Sequence, residues 1–215
     1  MTTPGAPSKA ELELRAWLDE LPALGAALDT TPDARKVLLE DAAADTWLLD
    51  QAPNAHPVVL ARSHLAHAAI QSLLDDGDAA VEHARRAVDL GSTLAAPGPR
   101  LAILAQGGAL AAGTLGKLRA ARRREVQHML VDVAEAAAEA YAEQAELSRR
   151  GVATLTAALA LVDSSTAVRG AARDAVRSRA RALAVDARAD LARAGEVAKA
   201  RLASETIATL DGKRA

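Results

Sequence analysis

Residues 117–150 read KLRAARRREVQHMLVDVAEAAAEAYAEQAELSRR, and residues 166–210 read TAVRGAARDAVRSRARALAVDARADLARAGEVAKARLASETIATL. The first stretch holds no Pro or Gly, and Ala, Glu, Leu and Arg, all strong helix formers, dominate it. The spacing predicts one helix over 117–150, roughly 50 Å long at ~1.5 Å per residue. Leu118, Val126, Met129, Leu130, Val133, Ala137, Ala140, Tyr141 and Leu147 recur at helical spacing and give it an apolar stripe. Glu135, Glu139 and Glu143, with Asp132 and Glu146, give it an acidic face. Arg149, Arg150 and then Gly151 read as its C-terminal end.

The second stretch, with Ser164 or Ser165 as N-cap, predicts a helix over 166–210. Val168, Val176, Leu183, Leu191, Ala198 and Leu202 are expected to mark its buried side. Gly170 and Gly195 each weaken it by about 1 kcal/mol relative to Ala, which favours a kink or break near Gly195. Arg169, Arg173, Arg177 and Arg181 recur every four residues, and Arg188 follows seven later, as a basic stripe. Such a stripe either pairs with the acidic helix face or is solvated. The alternative is phosphate binding, in nucleic acid or lipid head groups, because a guanidinium donates two parallel hydrogen bonds. Against phosphate binding, no aromatic residues are interleaved for base stacking, and the net charge of the whole chain is only −2.

Composition points the same way. Half of the 215 residues are hydrophobic, yet there is no Phe, one Tyr and two Trp, against 56 Ala. A core of Ala, Leu and Val fills by drawing backbones close together, which favours packed helices over a sheet. Residues 1–100 carry 8 Lys/Arg against 15 Asp/Glu, a net of −7, whereas residues 101–215 carry 18 against 13, a net of +5. That asymmetry suggests two functional regions or head-to-tail self-association. The absence of Cys excludes disulfides, thiolate nucleophiles and Cys metal sites. The polar, Pro-containing N-terminus lacks the pattern of a signal peptide, so the expected location is cytoplasmic.

Along the chain, Ser8 and Glu11 form a capping box that starts a helix over 9–21, and Pro22 ends it or opens a further turn through Leu28. Thr31-Pro32-Asp33 predicts a helix over 32–51. Trp17 and Trp47 both sit among leucines and are both expected in the core. Helices are predicted over 57–75 and 79–90, joined by Asp76-Gly77-Asp78, with Asp78 as cap and Gly91 as stop. Ser92–Pro99, with two Pro and a Gly, marks a boundary.

Gly77-Asp78-Ala79-Ala80-Val81-Glu82-His83-Ala84-Arg85-Arg86-Ala87-Val88-Asp89-Leu90 resembles the second helix of a tetratricopeptide repeat, with Ala80 and Ala87 at its small packing positions. The resemblance spans about residues 63–91, and Ala194-Gly195-Glu196 is a fainter echo. The first-helix aromatics are missing, the turn is about two residues short, and no period of about 34 residues emerges. The resemblance implies a helical solenoid that binds proteins and performs no catalysis.

Leu101–Gly116 is uncharged and rich in Gly and Ala, but falls short of the ~20 residues of a membrane-crossing helix. It reads as a central helix buried on all sides. The alternative is an inserting segment, with Lys117, Arg119, Arg122, Arg123 and Arg124 directly after it on anionic lipid or nucleic acid.

Motifs for catalysis are weak. Gly116-Lys117 lacks the remaining positions of a phosphate-binding loop, because Ala111 and Leu118 stand where that loop needs Gly and Ser/Thr. Glu125-Val126-Gln127-His128 is half of a di-iron helix motif with no second copy. Asp75, Asp76 and Asp78 lack the calcium-loop pattern. His64 and His67, spaced i, i+3, with His83 on the next helix, offer three imidazoles but no fixed fourth ligand, so they are expected as partly exposed side chains.

The expectation is an all-α protein of six to eight helices. A flexible arm (1–8) precedes a short N-terminal bundle or hairpins (9–91), a linker (92–99), long Ala-rich antiparallel or coiled-coil-like helices (100–210) and a tail (211–215). The expected function is a non-catalytic structural or scaffold protein in an oligomeric assembly. Its partner is another protein or a second copy, and no cofactor, metal or small-molecule substrate is inferred. The alternative is nucleic-acid or anionic-membrane binding through the two Arg clusters.

Overall fold

The computed structural model describes residues 6–45, 47–166 and 168–212. Residues 1–5 of the expected arm and 213–215 of the expected tail lie outside the described residues. Among the described residues the chain is all-α: α1 (Lys9–Ala27), α2 (Pro32–Ala44), α3 (Trp47–Gln51), α4 (Pro57–Leu73), α5 (Gly77–Ser92), α6 (Pro97–Thr114), α7 (Ala120–Glu143), α8 (Leu147–Ser165), α9 (Gly170–Arg193) and α10 (Val197–Leu210), with a 3-10 turn at Leu115–Lys117.

The N-terminal caps form as their residue types predict. Ser8 Oγ accepts from the Glu11 N–H at 3.1 Å, and Thr31 Oγ1 accepts from the Ala34 N–H. Glu11 does not complete a capping box. Its carboxylate accepts from Arg15 and, at 3.2 Å, from the backbone N–H of His56, which ties α1 to the start of α4. The first helix also runs through Pro22 to Ala27, with Pro22 exposed within it. A proline there removes one intrahelical hydrogen bond without ending the helix.

The expected helix over 32–51 is broken after Ala44, and the break changes which residues face inward. Leu48 is buried, whereas Trp47 is 52% exposed, so only Trp17 of the two tryptophans joins the core. The α4–α5 turn also differs from expectation. Asp76, not Asp78, caps α5, and Gly77 and Gly91 lie inside that helix.

Both long stretches fold back on themselves. The first breaks after Glu143, so 117–150 supplies α7 and the first turn of α8 where one helix was expected, and the second breaks after Arg193 into α9 and α10. Gly151, expected as a helix stop, lies inside α8. The break at Gly195 falls where the glycine weakened the pattern.

One turn geometry recurs three times. Asp75, Ala145 and Gly195 adopt φ of +63°, +56° and +77°. In each turn the next residue's N–H reaches back five residues: Asp76 to Gln71 at 3.0 Å, Glu146 to Tyr141 at 3.0 Å, and Glu196 to Leu191 at 2.8 Å. These bonds satisfy carbonyls that the helix end leaves unpaired. An L residue at such φ costs about 1 kcal/mol that glycine does not. Ala145→Gly is therefore expected to raise stability by up to ~1 kcal/mol, and Gly195→Ala to lower it by a similar amount, in urea titrations followed by circular dichroism. Equal stabilities of all three proteins would contradict this account of the turn.

Sequential packing follows from these turns. From α4 onward each helix packs on the next, with α4 also on α6 and α5 on α7. The core runs across the 92–99 stretch: Ala68, Val81, Val88, Leu104, Val126 and Val133 belong to one buried cluster drawn from α4 to α7. A second cluster joins α7 to α10 through Val131, Leu161, Ala180 and Leu210. A third joins α1, α2 and α3 to α4 through Leu14, Trp17, Leu39, Leu48 and Ile70.

On α9 the wholly buried side chains are Ala180, Ala184, Ala187 and Leu191. Of the residues expected on the buried side of 166–210, Leu191 is buried, while Val168, Val176 and Leu183 are half-buried. Ala198 and Leu202 are exposed. Alanines, not the larger residues, set the helical phase, because close-packed backbones leave room only for a methyl group.

Candidate functional site

The expected central helix, α6, is not buried on all sides. Ile103, Leu104, Gly107, Gly108 and Ala111 face the core, but Ala102, Ala105, Gln106, Ala109 and Ala112 are exposed. Among the described residues no helix is long and apolar enough to cross a membrane.

The exposed side of α6 forms one wall of an apolar groove. Leu130, Val133, Ala137 and Tyr141 of α7 form its floor, and Val152, Ala153, Thr156 and Ala160 of α8 form the opposite wall. The groove encloses about 620 Å³. Its only charged lining residues, among those described, are Arg149 and Lys199. Each is held by a neighbouring acid, Arg149 by Glu146 and Lys199 by Glu196, and the Arg149 guanidinium lies 6.0 Å from the centre of the Tyr141 ring. A larger cavity of about 1130 Å³ lies on the other side of α6, between α1 and α4, and Ala109 lines both.

The expected Arg clusters are placed differently. At the start of α7, Arg122 pairs with Glu125 on its own helix and with Glu82 and Asp78 of α5. The hydrogen bond that Arg122 donates to Glu125, followed by the one to Glu82, holds the Arg122 pKa above its ordinary value. Arg123 donates to the Leu118 carbonyl at 2.7 Å. On α9, Arg177 donates to the Thr209 and Leu210 carbonyls at the end of α10, and Arg181 pairs with Asp211 at 2.6 Å. A cation at a helix C-terminus meets unpaired carbonyls and the negative end of the dipole. Arg119, Arg124, Arg169, Arg173 and Arg188 are exposed, with no side-chain ion pair among the described residues. The acidic face of α7 meets Arg179 of α9 through Glu135, and Arg100 of α6 through Glu143. Neither arginine belongs to the expected stripe.

The three histidines do come together. His64 and His67 are buried on α4, and His83 is half-buried on α5, so the expectation of partly exposed side chains fails for the first two. The Nδ1 atoms of His64 and His83 lie 3.1 Å apart. Burial, followed by the neighbouring His83, pulls the His64 pKa down to about 4 and that of His67 to about 3. Burial and then Arg86 also lower that of His83. Among the described residues no group of three or more His, Asp or Glu is arranged to hold a metal ion.

The groove itself was not legible in the sequence. Alanine reads the same way in a buried stripe and in an exposed one. The available signal was a second small-residue row on α6, Ala102, Ala105, Ala109 and Ala112, opposite the buried one.

No protein-family model matches the chain, and no curated protein is similar to it in sequence.

Proposed function

We propose that the protein is a non-catalytic scaffold that binds an apolar helical face of a partner protein in the groove between α6 and α8. The observation that carries this reading is the groove's composition. In a chain that is one-quarter charged, its walls present Ala, Val and Thr to solvent, and its only charges among the described residues, Arg149 and Lys199, are already paired. An apolar groove between helices suits an amphipathic helix laid in by its apolar face.

A second reading keeps the five exposed arginines, Arg119, Arg124, Arg169, Arg173 and Arg188, as contacts for nucleic acid or anionic lipid. Binding would then weaken steeply with salt.

Size-exclusion chromatography with light scattering and a 260/280 nm ratio, at low and high salt, separates the two. The groove reading predicts a nucleic-acid-free complex, with itself or with a co-purified protein, that survives high salt. Ala109→Asp and Val152→Asp, both at exposed positions, are expected to dissolve that complex without lowering the melting temperature. Material that carries nucleic acid, sheds it in salt and ignores both substitutions would replace the groove with the arginines.

A further inference from the structure

Three imidazoles meet where α1 lies on the α4/α5 hairpin. His67 is wholly buried and stacks on Trp17 of α1, with ring centres 4.5 Å apart and planes 16° apart. Among the described residues neither of its ring nitrogens has a hydrogen-bond partner. The His83 ring stands 5.3 Å from it, and His83 Nδ1 faces His64 Nδ1 at 3.1 Å. A nitrogen pair that close needs a proton on one atom and a lone pair on the other, so these two rings cannot both be imidazolium.

A neutral His67 already leaves a buried donor and acceptor unpaired. Protonation would add a second N–H without an acceptor and a full charge without water, beside two more histidines. Stacking on Trp17 would attract that charge, but an exposed imidazolium gains far more from hydration than the indole face returns. The charged groups around the trio do not supply a free counter-ion. Glu82 of α5 acts on His64 and His83 but is already engaged by Arg85, Arg86 and Arg122 of α7, and Arg86 opposes protonation of both rings. On α1, Glu11 is engaged by Arg15 and by the His56 N–H.

We propose that His67, together with His64 and His83, is a proton-operated latch that holds α1–α3 on the α4/α5 hairpin while neutral and releases them when protonated. Beside the latch, these helices attach through the apolar cluster of Leu14, Trp17, Leu39, Leu48 and Ile70 and through the Glu11 contact to the His56 N–H. The sign follows from the two states. In the closed state the rings resist protonation down to about 4 for His64 and about 3 for His67, whereas released rings titrate near ~6.5. The latch is therefore fully closed above the ordinary histidine range and is lost as pH falls below it. The release constant grows about tenfold per pH unit for each histidine that gains a proton. Release also bares the α4 wall of the larger cavity, including Val58, Leu65 and Ala66.

The test uses the full chain carrying Trp47→Phe, which leaves Trp17 as its sole tryptophan and changes only an exposed side chain. Trp17 emission and far-ultraviolet circular dichroism are followed from pH 7.5 to 4.5, a span over which Glu11, held below the ordinary carboxylate range by its hydrogen bond from Arg15, stays mostly charged while the latch is closed. The expected result is a red shift and quenching of Trp17 while most helicity remains, with a slope approaching two protons, one on His67 and one shared by the His64/His83 pair. His67→Leu is expected to move the midpoint to lower pH and reduce the slope by one proton. His83→Gln removes a ring that opposes protonation of the other two, so it too is expected to move the midpoint to lower pH should His67→Leu fail to fold. Unchanged Trp17 emission down to pH 4.5, emission that changes only with loss of all helicity, or slopes and midpoints untouched by the substitutions would each overturn the latch.

Discussion

Leu191→Asp is expected to leave the C-terminal helices unfolded. Leu191 has no exposure and packs in a cluster with Leu155, Ala187 and Ala203, so it joins α8, α9 and α10 at one point. Removing a buried leucine side chain costs about 2–5 kcal/mol. Placing a carboxylate there adds the cost of burying an unpaired charge. The sum rivals the 5–15 kcal/mol that typically holds a domain together. Leu183→Asp, at a half-buried position, should cost less, and Leu202→Asp, at a position 44% exposed, should stay within about 0.5 kcal/mol of the parent. Urea titrations of the three proteins check this order. A Leu191→Asp protein as stable as Leu202→Asp would mean that α9 is turned the wrong way.

The second large effect concerns Gly151. A Cβ at this position would lie 2.7 Å from Leu191 Cγ and 3.2 Å from the Leu191 backbone nitrogen. The backbone nitrogen cannot step aside as a flexible side chain would, so α8 and α9 must separate. Gly151→Leu is expected to destabilise by about 3 kcal/mol or more, well beyond the ~1 kcal/mol that a better helix former returns. Gly113→Ala on α6 is the contrast, because nothing lies within 4 Å of its Cβ position. It should be neutral or stabilising by up to ~1 kcal/mol. Melting temperatures that move together in the two variants would refute the close α8–α9 contact.

These two sites show how local signals were overruled. Gly151 follows Arg149 and Arg150, and on the sequence alone that run reads as a helix terminus. In the fold its lack of a side chain serves the Leu191 contact instead, and the helix ends earlier, at Glu143, through Ala145 in an unfavourable left-handed turn. No local propensity favours that turn. Antiparallel packing of α7 on α8 buries Val131, Ala134, Ala157 and Leu161 together, and that burial outweighs roughly 1 kcal/mol of strain at Ala145. Gly195, by contrast, breaks the second stretch where its own conformational freedom already pointed. Trp47 illustrates the same limit. Its leucine-rich surroundings suggested the core, but a helix break after Ala44 turned Leu48 inward in its place.

By itself the sequence determined the all-α class, the Ser8 and Thr31 caps, the break at Gly195 and the helical character of nearly every segment. These depend on residues within one or two turns of each other, where intrinsic propensity and capping hydrogen bonds suffice. Only the tertiary structure decided which alanines are buried, which arginines cap or pair, that an apolar groove opens between α6 and α8, and that three histidines meet under Trp17. A methyl group carries no signal of its own facing, and a guanidinium finds a distant carbonyl or carboxylate only once the helices have crossed. The physical reason is the same in each case: these properties belong to pairs of helices far apart in the chain, and a helical period describes one helix at a time.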